Sequence, residues 1–179
     1  VCVPVNLRPY YGSNTTKNFF AVVSAMFRAE REDYTFEEVL AQVAESLKSQ
    51  ITKEHLEEIM AYNVSNEKNK ALRATPLFIK NIAMKIIYQM SAKANSGCVT
   101  NLGLVKLASP YDAYVESLYA ILSMSKNQNL KAAVVSYKDT LVFTFSSAVR
   151  EVDVQKVFFR KLAEDGIDVS VETNGVYYE

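Results

Sequence analysis

The sequence has no tryptophan, one histidine, two cysteines and five glycines in 179 residues. Each scarcity excludes a kind of chemistry. One imidazole and two distant thiols make no metal-ligand set by spacing, so no metal is expected. Cys2 and Cys98 each fall in an apolar strand pattern and read as small core residues rather than as a disulfide framework. Five scattered glycines leave no phosphate-cradling loop of the Walker or dinucleotide type. There is no Gly-x-Ser-x-Gly elbow either. Charge of neither sign is in surplus: Lys plus Arg is 20 and Asp plus Glu is 20. Without a cationic excess a nucleic-acid partner is not expected. No apolar run approaches the roughly 18 residues of a membrane helix, so no membrane span is expected. No secretory signal pattern is present, and a cytoplasmic location is the expectation.

What is there is a chain of ordinary globular composition, 49% hydrophobic and 22% charged, of a length suited to a single domain over 1–179. Val1–Leu7 alternates apolar residues and predicts a strand, with Pro4 placed at an edge or strand end because it lacks an N–H. Arg8–Thr16 is a loop by composition. Asn18–Phe27, rich in β-branched and aromatic residues, predicts a second strand. Thr35 and Glu38 form a capping box ahead of Phe36, Val39, Leu40, Val43 and Leu47 at helical spacing. A further helix starts at Thr52 and buries Leu56, Ile59, Met60 and Val64, its tail over Asn66–Lys70 fraying or looping. Thr75-Pro76 opens a third, with Ile79, Ile82, Ala83, Ile86, Ile87 and Met90 on one broad apolar face.

Ser96–Leu107 is the stretch around which the rest is arranged. It begins with a turn signal, runs on as an apolar strand, and is interrupted by Thr100-Asn101. One reading is a plain central strand. The other is a strand bent open at Thr100–Gly103 so that polar groups face a cleft. Beyond it, Ser109-Pro110 caps a short turn or helical piece containing Asp112, and Val115–Met124 predicts a strand. Lys131–Tyr137 and Thr140–Ser147 predict a hairpin through Lys138-Asp139, with Asp139 in a left-handed conformation. A last helix from near Asp153 to Gly166 buries Val154, Val157, Phe158 and Leu162. Ile167–Glu172 predicts a final strand. The expected fold is α+β, one mixed sheet with helices packed on it in an α/β sandwich.

Catalytic signals are sparse. His55 lies in EHLEE on a charged helix face and reads as a solvated residue; a stand-alone enzyme built on it is the weakest alternative. The carboxylates at 30–33 and 37–38 mix with basic residues or sit in a helix first turn, where the helix dipole accounts for them. Tyr10-Tyr11 and Tyr177-Tyr178 read as cover for surface or pocket walls. The residues alone offer no convincing general base.

Val3-Pro4-Val5-Asn6-Leu7-Arg8, the loop with Gly12-Ser13, and Asn18-Phe19-Phe20 together resemble the start of the C-terminal half of the CoA-dependent acyltransferase superfamily. That group contains chloramphenicol acetyltransferase, peptide-synthetase condensation domains and alcohol acetyltransferases, and the resemblance leans to the last branch. Thr100-Asn101-Leu102-Gly103, the Val134–Phe145 hairpin and the Phe158-Phe159 helix keep the same order. The resemblance implies one of two similar halves around a tunnel, a chloramphenicol-acetyltransferase-like half-domain. The catalytic histidine of the family lies in an HHxxxDG motif of the other half, and this sequence contains no such motif. The start at Val1, already inside a strand pattern, fits the expectation of the C-terminal half of a larger protein, inactive alone.

By the same resemblance, the whole protein would move an acyl group from a CoA or carrier thioester to a small alcohol or amine. Thr100 and Asn101 would lie where relatives supply oxyanion or tunnel contacts, and Asn18 and Arg8 would be substrate-binding. The structural alternatives are that Thr100 pairs within the sheet, Asn101 caps a bend ahead of Gly103, and Arg8 holds its loop. The rival class is a non-catalytic binding or assembly module on the same scaffold. A half without its partner would expose apolar surface and is expected to form homo-oligomers.

Overall fold

The computed structural model describes residues 1–125 and 128–174, with the backbone alone for residues 67, 71 and 91–94. Its centre is one mixed five-stranded sheet in the order β2-β1-β3-β4-β5. The strands are β1 (Cys2–Asn6), β2 (Phe20–Ser24), β3 (Gly97–Val105), β4 (Leu130–Tyr137) and β5 (Thr140–Ser147). β1 runs antiparallel to β2 and parallel to β3; β3 and β4 are parallel, and β4 and β5 form an antiparallel hairpin. The fold is α+β, with helices joining and flanking this sheet.

The helices are α1 (Arg8–Tyr11), α2 (Phe36–Gln50), α3 (Lys53–Lys68), α4 (Lys70–Ala74), α5 (Leu77–Ala94) and α6 (Asp153–Glu164). The capping box forms as expected: the Thr35 hydroxyl accepts the Glu38 N–H and the Glu38 carboxylate accepts the Thr35 N–H. Thr52 caps α3 by accepting the His55 N–H at 3.2 Å. Leu56, one turn in, is fully buried. It joins Leu7, Ala21 and Val23 in a core under β1 and β2, against which Leu47, Ile51, Ile59 and Met60 pack. A second apolar centre lies at the other end of the sheet. There Phe143 and Phe145 of β5 stack with Phe158 and Phe159 of α6 at centroid distances of 4.4–5.8 Å.

Several expectations need correction. Arg8–Tyr11 is a helical turn rather than loop, ended by Gly12 at φ 57°. The second strand is shorter than Asn18–Phe27. The α3 helix runs through the polar tail to Lys68, and Val64 is exposed. The cap of α5 is Pro76, not Thr75, with no side-chain bond. Val115–Met124 is not a strand. It lies across the hairpin, and side chains hold its carbonyls: Thr144 Oγ1 donates to Ala120, Lys131 Nζ to Ser123 and Lys138 Nζ to Val115. Both edges of β4 are already taken, so this segment binds through side chains instead of a ladder.

The left-handed hairpin residue is Lys138 (φ 52°), not Asp139. On α6 the half-buried face is Phe158, Phe159 and Leu162, while Val154 and Val157 are exposed. Ile167–Glu172 makes no strand; after Gly166 the chain is held by turn bonds to Ala163 and Leu162 rather than by a sheet edge. Tyr177 and Tyr178 lie outside the described residues. The largest departure is α5. Its helix forms, but Ile82, Ile86, Ile87 and Met90 are exposed, Ile82 at 61%, and among the described residues no other element packs extensively along it.

Candidate functional site between two parallel strands

The geometry that sets this site is a split in the sheet. β1 and β3 share one registered pair, Cys2 with Cys98. Pro4 stands two residues further on, one ladder repeat, and has no N–H to carry the pairing onward. It sits in mid-strand, paired with Val22 on the β2 side. Past Cys2, β1 is therefore an edge toward β3, which accommodates the proline that a fully paired strand would refuse. The facing edges of β1 and β3 keep backbone donors and acceptors that the sheet does not use. Both strands point their C-terminal ends the same way, and such ends are where open α/β sheets take ligands.

On the β3 side the strand bulges. Thr100 pairs with Ala133 and Asn101 with Val134, but Leu104 then pairs with Ser136, so β3 carries one residue more than β4 across this step. Asn101 organises the bulge. Its Oδ1 accepts the Gly103 N–H at 2.8 Å, and Gly103 takes φ 71°, a conformation costly for other residues. The Asn101 carbonyl oxygen is thus committed while its amide N–H groups stay exposed with the rest of the side chain. Thr100 is half-buried, and its hydroxyl makes no side-chain hydrogen bond among the described residues. Thr100 thus pairs within the sheet and Asn101 caps the bend ahead of Gly103, where the strand bulges.

On the β1 side the chain leaves the sheet at Asn6 and is clamped at once. Arg8 donates from Nε to the Thr15 carbonyl at 2.7 Å, from Nη2 to the Lys17 carbonyl at 2.6 Å, and from Nη1 to Asn6 Oδ1 at 3.1 Å. These bonds occupy the guanidinium fork and fix the loop from Gly12 to Lys17. Asn18, next in the chain, is exposed. The geometry brings Arg8 and Thr100–Asn101 to the same end of the sheet, with Arg8 serving the loop and Asn18 at its exit.

The structure gives two residues a part that their reading from the sequence did not. Asn6 accepts both the Arg8 backbone N–H and the Arg8 side chain; the Asn-x-Arg spacing is the local signal. Tyr11 packs its ring on Phe19 and buries its hydroxyl with no hydrogen-bond partner. Burial, then the charge of Glu57, raises the Tyr11 pKa above its ordinary value, so the phenol stays protonated. Nothing in the local sequence separates Tyr11 from Tyr10.

A different hollow of about 780 Å³ opens between the end of β2 and helices α2 and α3, with His55 on its rim. Several of its polar groups are already engaged, some of them in joining β2 to α2. Gln50 accepts the Ser24 N–H and donates to the Ser24 carbonyl, and Ser46 Oγ accepts the Met26 N–H. The Tyr34 hydroxyl accepts the Glu30 N–H and donates to the Arg28 carbonyl. His55 itself lies 3.5 Å from Glu58 on an exposed face. Among the described residues no group of three or more His, Cys, Asp or Glu is placed to hold a metal, and no helix is long and apolar enough to cross a membrane.

Compared with known proteins, the chain matches no family model, no curated protein and no solved structure.

Proposed function

We propose that this chain is the C-terminal half of an acyltransferase that moves an acyl group from a CoA or carrier thioester to a small alcohol or amine. The observation that carries the reading is the split sheet. The motifs that resemble this superfamily, Val3–Arg8 and Thr100–Gly103, fall on the two strands that part from one another. The facing edges of these strands keep backbone groups that the ladder does not use, and β3 carries there the half-buried Thr100 hydroxyl and the exposed amide of Asn101. In such a reaction the acceptor oxygen or nitrogen attacks the thioester carbonyl, a base takes its proton, and the thiol leaves. The base would come from the other half. What this half supplies is hydrogen-bond donors for the oxyanion that develops on the carbonyl, which count most when they are held in place beforehand.

The test is acyl transfer by the full-length protein beside this chain alone. The chain alone is expected to be silent. Within the full protein, Thr100→Val removes the hydroxyl at nearly constant shape. Asn101→Asp keeps the Oδ that caps Gly103 and removes the amide donor. Loss of one oxyanion donor lowers kcat by about 10²–10³-fold. Normal kcat in both variants with an intact fold would remove these residues from the chemistry.

A second reading, a binding or assembly module on the same scaffold, is favoured by the uncovered face of α5. Under it the full protein shows no thioester-dependent transfer, and substitutions at Thr100 and Asn101 leave partner binding unchanged.

A further inference from the structure

The only two cysteines of the chain, far apart in sequence, meet on one rung of the sheet. Cys2 and Cys98 are registered partners on parallel strands. Neighbouring strands lie about 4.8 Å apart, inside the roughly 4.4–6.8 Å Cα separation that disulfides span. Registered partners send their side chains to the same face of a sheet. Both are free thiols here. The pair also stands at a mechanically distinct point: it is the last rung before β1 and β3 part.

We propose that Cys2 and Cys98 are a redox modification site, a dithiol that closes reversibly to a disulfide by exchange with a small disulfide of the glutathione class. Cys98 is half-buried and Cys2 buried, which sets the order. The Cys98 sulfur attacks the small disulfide, one S–S bond breaks as another forms, and the first small thiol leaves with the proton. The Cys2 sulfur then attacks the Cys98 sulfur of the mixed disulfide and expels the second small thiol. Two protein thiols are oxidised and one small disulfide is reduced to two thiols.

The surroundings make this exchange slow at neutral pH. Burial, then the neighbouring Cys2 thiol, pushes the Cys98 pKa up to about 11, against the opposing charge of Lys131 on β4. Because the thiolate is the attacking species, the rate rises about tenfold per pH unit below that value. The couple therefore answers sustained oxidation rather than brief exposure. Its effect is to turn the single rung joining β1 to β3 into a covalent one.

The experiment is to hold the folded full chain with oxidised glutathione at about pH 8.5, where thiolate attack proceeds. Remaining thiols are then blocked, and the peptides are mapped by mass without reductant. The expected result is loss of both thiols, one linked peptide pair containing Cys2 and Cys98, and reversal by dithiothreitol. The denaturant midpoint should be higher in the oxidised form. Cys2→Ser should stop at a stable mixed disulfide on Cys98, whereas the wild-type chain passes through it. Two thiols that stay free, a wild-type mixed disulfide that does not resolve, or links between separate chains would each overturn the proposal.

Discussion

Gly97 shows how much one missing Cβ can matter. It opens β3 opposite Leu130, and a Cβ at this position would stand 2.6 Å from the Leu130 carbonyl oxygen. That atom is backbone inside a ladder and cannot swing aside. Gly97→Ala is therefore expected to destabilise the fold by about 1–3 kcal/mol through overpacking, read as a lower denaturant midpoint. A midpoint equal to wild type would mean that β3 and β4 can separate at this end without cost. Gly103 acts differently. No atom lies within 4 Å of its missing Cβ, and its requirement is the positive φ of the bulge. The sequence marked Gly103 at the end of the Thr100–Gly103 bend without singling out Gly97, and it did not show that one is needed for backbone conformation and the other for space. That distinction depends on β4, which lies about thirty residues further along the chain.

Among the elements, α2 is the one most fully legible beforehand, because its start is a local device. Thr35, Glu38 and the apolar spacing behind them lie within one short window, and the cap formed as read. The structure adds Arg31, which donates to the Glu38 carboxylate. That bond, with the Thr35 backbone N–H, holds the Glu38 pKa below its ordinary value of 4.5. A carboxylate with a depressed folded pKa contributes stability above its unfolded pKa and loses it as pH falls through the folded one. Circular dichroism should therefore show the α2 contribution weakening in acid below about pH 4.5. Glu38→Gln should flatten that part of the profile. An unchanged acid limb in Glu38→Gln would assign the sensitivity elsewhere. Elements whose existence depends on distant partners were not legible. Val115–Met124 has the residues of a strand, but the places beside β4 are occupied. Val154 and Val157 have the helical spacing of a core face, but the Phe143–Phe145 cluster selects Phe158 and Phe159 instead.

For the whole molecule, the α+β class and the order of most elements followed from periodicity and caps, which are short-range properties. The candidate site was legible only in part. Thr100, Asn101 and Arg8 were visible as residues, but the parting of β1 from β3 depends on one proline and on a pairing between chain positions nearly a hundred residues apart. The α5 helix raises the other question at this scale. A helix apolar on so much of its circumference is normally covered, yet Ile82, Ile86 and Ile87 are exposed. The isolated chain is accordingly expected to self-associate, with light scattering at high concentration giving a dimer or larger species. Ile82→Lys with Ile86→Glu should shift it to monomer. A clean wild-type monomer would contradict this expectation.

The single rung between β1 and β3 also bears on how the molecule opens. On one side of it, β1 and β2 carry the Leu7–Leu56 core; on the other, β3, β4 and β5 carry the aromatic cluster with α6. Two packed units joined by one rung and the neighbouring Ser24–Asn95 hydrogen bond need not unfold together, and contiguous cooperative units of this kind reveal themselves in native-state hydrogen exchange. Amides of β1 and β2 should exchange with one opening free energy and those of β4 and β5 with another. Closing Cys2 to Cys98 should draw the two values together, so that a chemical bond at the sheet's narrowest point converts two foldons into one.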